Sequence, residues 1–498
     1  MTSQVTHPLY LAAQIRELDR RTIAGIDGDG TGGFELMQRA ATAAYDALRQ
    51  RWPLVRRLSV LCGAGNNAGD GYVIAALAAR DGFEVQLIAL RDPAELKSDA
   101  ACAFDMARMA GLKTQPWQDD MVLTGEIIVD ALLGTGLGGE VREPYRAAID
   151  TINACRRPVL AVDVPSGLSA DTGAVLGVAV EASVTVTFIA DKFGLHTGAA
   201  ADHVGALAFE PLGVDSSRHD DLAPVAERLD ASIVARALPP RRRGSHKGDF
   251  GHVLVIGGAP GFGGAALLAS QAAARLGAGK VSLATAPEHV GASLMRTPEV
   301  MARGVRGVPD VAPLLSGADV IVIGPGLGQD AWGQGLLQAA LEAGKPLVID
   351  ADGLNLLVTH WPEARRDDWL LTPHPGEAAT LLGSSGREVQ ADRLMAIREL
   401  QRRRGGVTLL KGAGSLIAGP GGVGVCPYGN PGMASGGMGD VLSGLLGALV
   451  AQGLALETAA RVGAVLHASA ADKAAGEAGE RGLLAGDLAC YARSLANP

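Results

Sequence analysis

Apolar residues run along this chain in two rhythms. Short, nearly unbroken apolar runs at 58–62, 84–90, 126–131 and 158–164 are separated by stretches in which apolar positions recur every three or four residues. Continuous runs of this kind predict strands covered on both faces, and the slower rhythm predicts helices with one buried stripe. Residues 11–23 and 35–52 form two amphipathic helices, and further helices are expected at 72–80, around 100–110 and at 145–154. The pattern then dissolves into a polar stretch between 213 and 230, containing Ser216-Ser217-Arg218-His219-Asp220-Asp221, which reads as a linker. Beyond it the alternation restarts, with strands at 252–256, 280–285, 318–323, 346–350, 369–372 and 407–410. Helices fall at 263–276 and 390–403, a hairpin reaches residue 425, and three helices close the chain. The fold class is therefore α/β, in two three-layer αβα domains spanning residues 1–220 and 228–498. The second half is not an evident repeat of the first.

Composition sharpens this without changing it. A chain of 498 residues exceeds one ordinary core, and 68 glycines with only 4% aromatics suit many tight strand–helix turns. The net charge of −9 disfavours nucleic acid, and the clusters Arg241-Arg242-Arg243 and Arg402-Arg403-Arg404 have no interleaved aromatics. They read as solvated helix ends or phosphate-steering patches. Five dispersed cysteines with no CxxC pair argue for reduced thiols in a cytoplasmic protein and against zinc. Residues 441–456 are the most membrane-like stretch, but Gln452 and glycines interrupt it, so a core helix is expected and no membrane association.

The chemistry lies in loops at strand ends, where parallel sheets bind ligands. The most informative runs from Gly429 through Gly436-Gly437-Met438-Gly439-Asp440 into an apolar helix from Val441. Small residues bring N–H groups close to a ligand, and the helix N-terminus adds a partial positive charge suited to phosphate or a developing oxyanion. Asp440 is placed to accept a proton from a hydroxyl held there, the bland alternative being an N-capping Asp. In the first half, Gly63-Ala64-Gly65-Asn66-Asn67-Ala68 formally fits a dinucleotide fingerprint. Its two asparagines and the following Gly69-Asp70 better suit a hard cation or a polyhydroxy ligand, or simply occupy turn positions. Asp130 and Asp163 end apolar strands on the same rim, where burial is costly unless they are paired or metal-bound.

These motifs resemble a known family. Gly63–Gly71, then Asp130-Ala131-Leu132-Leu133-Gly134-Thr135-Gly136, then Val162-Asp163-Val164-Pro165-Ser166-Gly167 match in order the NAD(P)H-hydrate epimerase domain, a Rossmann-like fold. The second half is similar to the ADP-dependent NAD(P)H-hydrate dehydratase, a ribokinase-like fold. Its marks are His246-Lys247-Gly248, Gly324-Pro325-Gly326-Leu327-Gly328, Asp350-Ala351-Asp352-Gly353, Thr372-Pro373-His374-Pro375-Gly376-Glu377, Leu410-Lys411-Gly412 and the loop before Asp440. The resemblance spans nearly the whole chain and implies a bifunctional repair enzyme acting on hydrated NADH and NADPH (NADHX and NADPHX).

Carried over residue by residue, it implies hydrate contacts at Asn66, Asn67, Ala68, Gly69, Asp70, Gly134, Thr135, Gly136, Leu137, Gly138, Gly139, Glu140 and Asp163 in the first domain. A potassium ion is implied at Asn67, Asp130 and Ser166. In the second domain the hydrate is implied at Ala265, Gly326, His374 and Asp440. ADP, with Mg2+, is implied at Lys411, Gly412, Ala413, Gly414, Ser415 and Gly439. The family also implies a homo-oligomer. Ala68 departs from the usual glycine and is expected to crowd the ligand slightly; Ser415 departs from the commoner threonine. Asp440 and Asp163 are the expected catalytic residues, for phosphoryl transfer to the ring hydroxyl and for epimerisation. His374 has a competing role as a loop stiffener, and Lys411 as a solvated strand-end charge. The alternatives are a ribokinase-like vitamin-precursor kinase carrying a non-catalytic N-terminal binding module and, more distantly, a nicotinamide dehydrogenase.

Overall fold

The computed structural model describes residues 7–26, 32–214 and 221–497. It divides into two compact units, His7–Ala226 and Glu227–Pro498. Part of the expected linker, residues 215–220, lies outside the described residues. Its end is not a loop: Glu227 and Arg228 pair in parallel with Gly424 and Val425.

The first unit holds a seven-stranded sheet. In spatial order its strands are Thr114–Pro116, Glu84–Ala89, Arg57–Cys62, Ile127–Ala131, Val159–Val162, Val184–Phe188 and Ala206–Glu210, every neighbouring pair parallel. Helices cover both faces, so central strands are buried throughout; all five residues of Ile127–Ala131, Asp130 included, are buried. Val184–Phe188 and Ala206–Glu210 are strands that the sequence reading left unassigned. Val184–Phe188 alternates Val with Thr, and its buried threonines escape an apolar-run search because hydrogen bonds satisfy them, as Thr185 Oγ1 does by donating to the Val204 carbonyl.

In the second unit seven strands lie side by side in parallel: Met301–Gly304, Lys280–Thr285, His252–Ile256, Val320–Ile323, Leu347–Ile349, Trp369–Leu371 and Val407–Leu410. Ser415–Gly419 and Gly422–Cys426 then add antiparallel neighbours. The first sheet is wholly parallel, the second unit turns antiparallel only at these two strands, and the α/β class holds. Residues 441–456 are not one element. The helix Met438–Ala451 stops at Gln452, and Leu456–Ala478 is a separate helix. No helix among the described residues is long and apolar enough to cross a membrane. The close packing of Met438–Ala451 is visible in its glycines: a Cβ on Gly444 would meet the Ala269 carbonyl at 2.0 Å, and one on Gly447 would meet Val322 at 2.4 Å.

Candidate active sites

In the first unit the glycine-rich segment after Cys62 is largely helix. Asn66–Arg80 is helical from its first asparagine, with Gly65 at the N-cap, whereas the sequence reading began the helix at Tyr72. The glycines mislead because they serve packing: a Cβ on Gly69 would meet Met37 Sδ at 2.5 Å, and one on Gly71 would meet Ala131 Cβ at 2.5 Å. Ala68 sits inside this helix, fully buried, and does not line the cavity beside it, so the expected crowding of a ligand by its methyl is not seen.

That cavity measures about 570 Å³, and Asn66, Asn67, Asp70, Asp163 and the loop from Gly134 to Gly138 line it. The structure brings these predicted residues together. Gly69, Gly139 and Glu140 do not reach the lining, and Asp130 and Ser166 stand behind it. Asp130 is fully buried and accepts from Ser166 N–H at 2.8 Å, Ser166 Oγ–H at 2.6 Å and Leu132 N–H at 3.2 Å. Burial nonetheless pushes its carboxyl up to about 6. Asn67 Nδ2 donates to the Leu133 carbonyl at 3.1 Å, while its Oδ1 is buried with no hydrogen-bond partner. An orphaned carbonyl oxygen beside a buried carboxylate and a hydroxyl is a set of hard donors.

Asp163 has a positive φ of 68°, which turns its side chain off the strand end. There it meets Lys192, which sequence reasoning missed. The Lys192 side chain is buried, its Nζ lies 2.8 Å from Asp163 Oδ1, and it also donates to the carbonyls of Phe188 and Ala190. Thr187 Oγ1 donates to Asp163 as well. Two further carboxyls face this cavity. Asp19 is pushed up to about 6 by burial. Asp70, whose Oδ1 has no partner, is held well above the usual carboxylate range by burial and then by Asp163 and Asp19. The sequence signal for Lys192 was slight: a cation directly after Asp191, just beyond an alternating Val/Thr run.

In the second unit Asp440 is the third residue of Met438–Ala451, whose N-cap is Gly437 at φ 93°. It therefore does not cap the helix. Burial, and then the Asp350 carboxylate, push its carboxyl up to about 7, against the opposing pull of Lys411. Lys411 Nζ lies 2.7 Å from Asp350 Oδ1 and 3.8 Å from Glu377 Oε2, so it is not a solvated strand-end charge. Asp350 Oδ2 in turn accepts from Ser443 Oγ–H at 2.8 Å. Asp350 thus ties the lysine to the helix that carries Asp440. Gly439 leaves room for this: a Cβ there would lie 3.2 Å from Lys411 Nζ and 3.3 Å from Asp350 Oδ2.

His374 caps the helix Pro375–Leu382. Its Nδ1 accepts from Gly376 N–H at 2.9 Å and Glu377 N–H at 3.2 Å, and Glu377 Oε2 accepts from His374 N–H at 2.7 Å. The stiffening role is real; the ring is over half exposed, and its Nε2 lies 3.4 Å from Glu377 Oε1. Gly326 and Ala265 are neighbours, a Cβ on Gly326 lying 3.2 Å from that of Ala265. Ser415 Oγ donates back to the Gly412 carbonyl at 2.9 Å, closing the Lys411–Ser415 turn. The arginine clusters divide: Arg402 and Arg403 pair with Glu399, Arg404 is buried against backbone carbonyls, and Arg241 stacks on Phe250 at 3.6 Å. The expectation of solvated helix ends therefore fails for Arg404, which is buried, whereas Arg241, Arg242 and Arg243 are exposed but lie outside any helix. Among the described residues no group of three or more His, Cys, Asp and Glu side chains could hold a metal ion.

Comparison with known proteins matches each unit to a family. Residues 253–494 match the family described as NAD(P)H-hydrate dehydratase, and residues 33–194 match the YjeF-related protein N-terminus. The chain is 49% identical over 98% of its length to the bifunctional NAD(P)H-hydrate repair enzyme of Coxiella burnetii, of which it covers 99%. It is 44% identical over 99% of its length to that of Escherichia coli, covering 95%. Among solved structures, a hypothetic protein from Streptococcus mutans is 28% identical and superposes with a TM-score of 0.50 over 54% of this chain and 99% of its own. Two matched domains in one chain, aligned end to end with such relatives, show that the chain belongs to the family of bifunctional NAD(P)H-hydrate repair enzymes.

Proposed function

We propose that the second unit dehydrates the S form of NADHX and NADPHX at the expense of ADP, and that the first interconverts the R and S forms. The observation that carries this is the carboxyl of Asp440, held near neutrality at a glycine-flanked helix N-terminus beside the Lys411 ammonium. Hydroxide is a poor leaving group, whereas phosphate is a good one. Asp440 accepts the proton of the ring hydroxyl, whose oxygen forms a bond to the terminal phosphorus of ADP as the bond to the bridging oxygen breaks and AMP departs. Lys411 and the amides of residues 436–439 offset charge on the moving phosphoryl group. Phosphate then leaves with the carbon–oxygen bonding pair, assisted by the ring nitrogen, and loss of the adjacent ring proton restores NADH or NADPH. Lys411, Gly412, Ala413, Gly414, Ser415 and Gly439 bind the nucleotide, and Ala265, Gly326, His374 and Asp440 the hydrate.

The Lys411 ammonium is shared by Asp350, Glu377 and Asp440, but these carboxylates form no group able to hold a metal ion by themselves, so a Mg2+ ion would come in with the diphosphate and be held chiefly by its oxygens. Such an ion supplies charge neutralisation at the phosphates. In the first unit, Asn67 Oδ1, Asp130 and Ser166 Oγ supply hard oxygens for K+, and the orphaned Asn67 oxygen is what favours it. Asp163 moves the proton during epimerisation, with Lys192 holding its carboxylate in place. The five free cysteines suit a reducing compartment, the cytoplasm.

The test is recovery of reduced-nicotinamide absorbance from each purified epimer, with and without ADP and K+. The S form should be consumed with ADP alone, and the R form only at the rate of epimerisation. Recovery without nucleotide, or ADP-dependent phosphorylation of an unrelated alcohol, would overturn the reading. Two results should accompany it. Below about pH 7, dehydration kcat/KM should fall about tenfold per pH unit as Asp440 takes up its proton, because only the ionised carboxylate accepts one. A rate independent of pH in that range would remove Asp440 as base. K+ should speed epimerisation in the wild type but not in Asn67→Leu, while both dehydrate the S form equally; an equal K+ response in the variant would remove Asn67 from the ion's ligands.

A further inference from the structure

The Lys411–Ser415 turn leaves the strand Val407–Leu410 with its backbone bent at Gly412 (φ 130°) and Gly414 (φ 60°). Such a turn needs something to hold it, since glycine is free to adopt many other conformations. Beneath it lies Arg393, the first residue of the helix Arg393–Arg404, with a side chain that is 0% exposed. Its Nη2 donates to the carbonyls of Leu410 at 3.4 Å and Lys411 at 3.2 Å, and its Nη1 donates to Gln390 Oε1 at 2.7 Å. A Cβ on Gly412 would lie 3.1 Å from Nη1, so the guanidinium also touches the residue that turns the chain. Burial draws its pKa down to about 10, leaving it charged at neutral pH. A leucine would fill similar space without that desolvation cost. What leucine lacks is a planar fork able to grip successive backbone carbonyls.

We propose that Arg393 is a positioning residue for the nucleotide: it fixes the Leu410 and Lys411 carbonyls, so that the Lys411 ammonium and the following turn present one conformation to a nucleoside diphosphate. This rests on reading residues 411–415 as the nucleotide site. It acts through the turn, and Arg393 itself touches no reacting atom.

The experiment measures ADP dissociation constants by calorimetry on the full chain, alongside thermal unfolding and epimerisation rates. Arg393→Met should weaken ADP binding about tenfold or more, and Arg393→Lys less, because an ammonium can donate to carbonyls without the fork. Gln390→Leu, which removes only the partner of Nη1 at an exposed position, should weaken it about threefold. Epimerisation should be unchanged in all three. A merely structural arginine predicts a lowered Tm with wild-type ADP affinity in the folded protein, and that result overturns the proposal. Should Arg393→Met fail to fold, wild-type affinity in both Arg393→Lys and Gln390→Leu overturns it equally. Failure of the wild type to bind ADP would instead overturn the nucleotide reading itself.

Discussion

Replacing Asp440 with Asn is expected to lower ADP-dependent dehydration by about 10²–10⁴-fold, the usual contribution of a positioned general base. ADP affinity should stay close to that of the wild type, because the phosphate-facing groups are Lys411, the turn after it and the amides of residues 436–439, none of which the substitution removes. The variant should also be more stable. The folded-state carboxyl of Asp440 titrates near 7 rather than at its ordinary 3.8, so ionisation opposes folding. That cost is absent below the ordinary value, grows as pH rises towards 7, and is fully present above it. Asparagine abolishes it, so the gain in Tm should be a few degrees above about pH 7 and vanish near pH 4. A stabilised, nucleotide-binding, inactive protein is the signature of a residue kept for chemistry at the expense of stability. Full turnover in Asp440→Asn would refute the role, and loss of folding would contradict the burial argument.

Lys192→Met should carry the second large effect. It removes the ammonium that holds Asp163 and leaves that carboxylate without its ion-pair partner, at a stability cost of about 3–5 kcal/mol. Epimerisation should fall by about 10²-fold or more, while dehydration of the purified S form is retained. The double variant Asp163→Asn/Lys192→Met separates folding from chemistry. It removes both charges, so stability should return while epimerisation stays lost. If epimerisation returned with stability, Asp163 and Lys192 would be structural and the chemistry would lie with other cavity groups such as Asp19 or Asp70.

What the sequence made legible follows from how local each signal is. Strands such as His252–Ile256 and Lys280–Thr285 are readable because an apolar run bounded by turn residues needs no tertiary information. The motif loops are readable for the same reason, and they place Asp163, Lys411 and Asp440 at strand or helix ends. The start of the helix at Asn66 was hidden, because Gly69 and Gly71 look like loop residues until Met37 and Ala131 are seen pressing on them. Likewise Lys192 acquires meaning only opposite Asp163, and Asp350 only between Lys411 and Ser443, partners 61 and 93 residues away. His374 was half legible: a side-chain acceptor three residues before Glu377 is a capping box written with an imidazole.

If the ring hydroxyl becomes a phosphate ester before it leaves, its oxygen must depart with the phosphate. NADHX carrying ¹⁸O in the ring hydroxyl, dehydrated with ADP in ordinary water, should release inorganic phosphate bearing the label, one atom for each NADH formed. Label recovered in water, with phosphate that takes its new oxygen from solvent, would contradict the account.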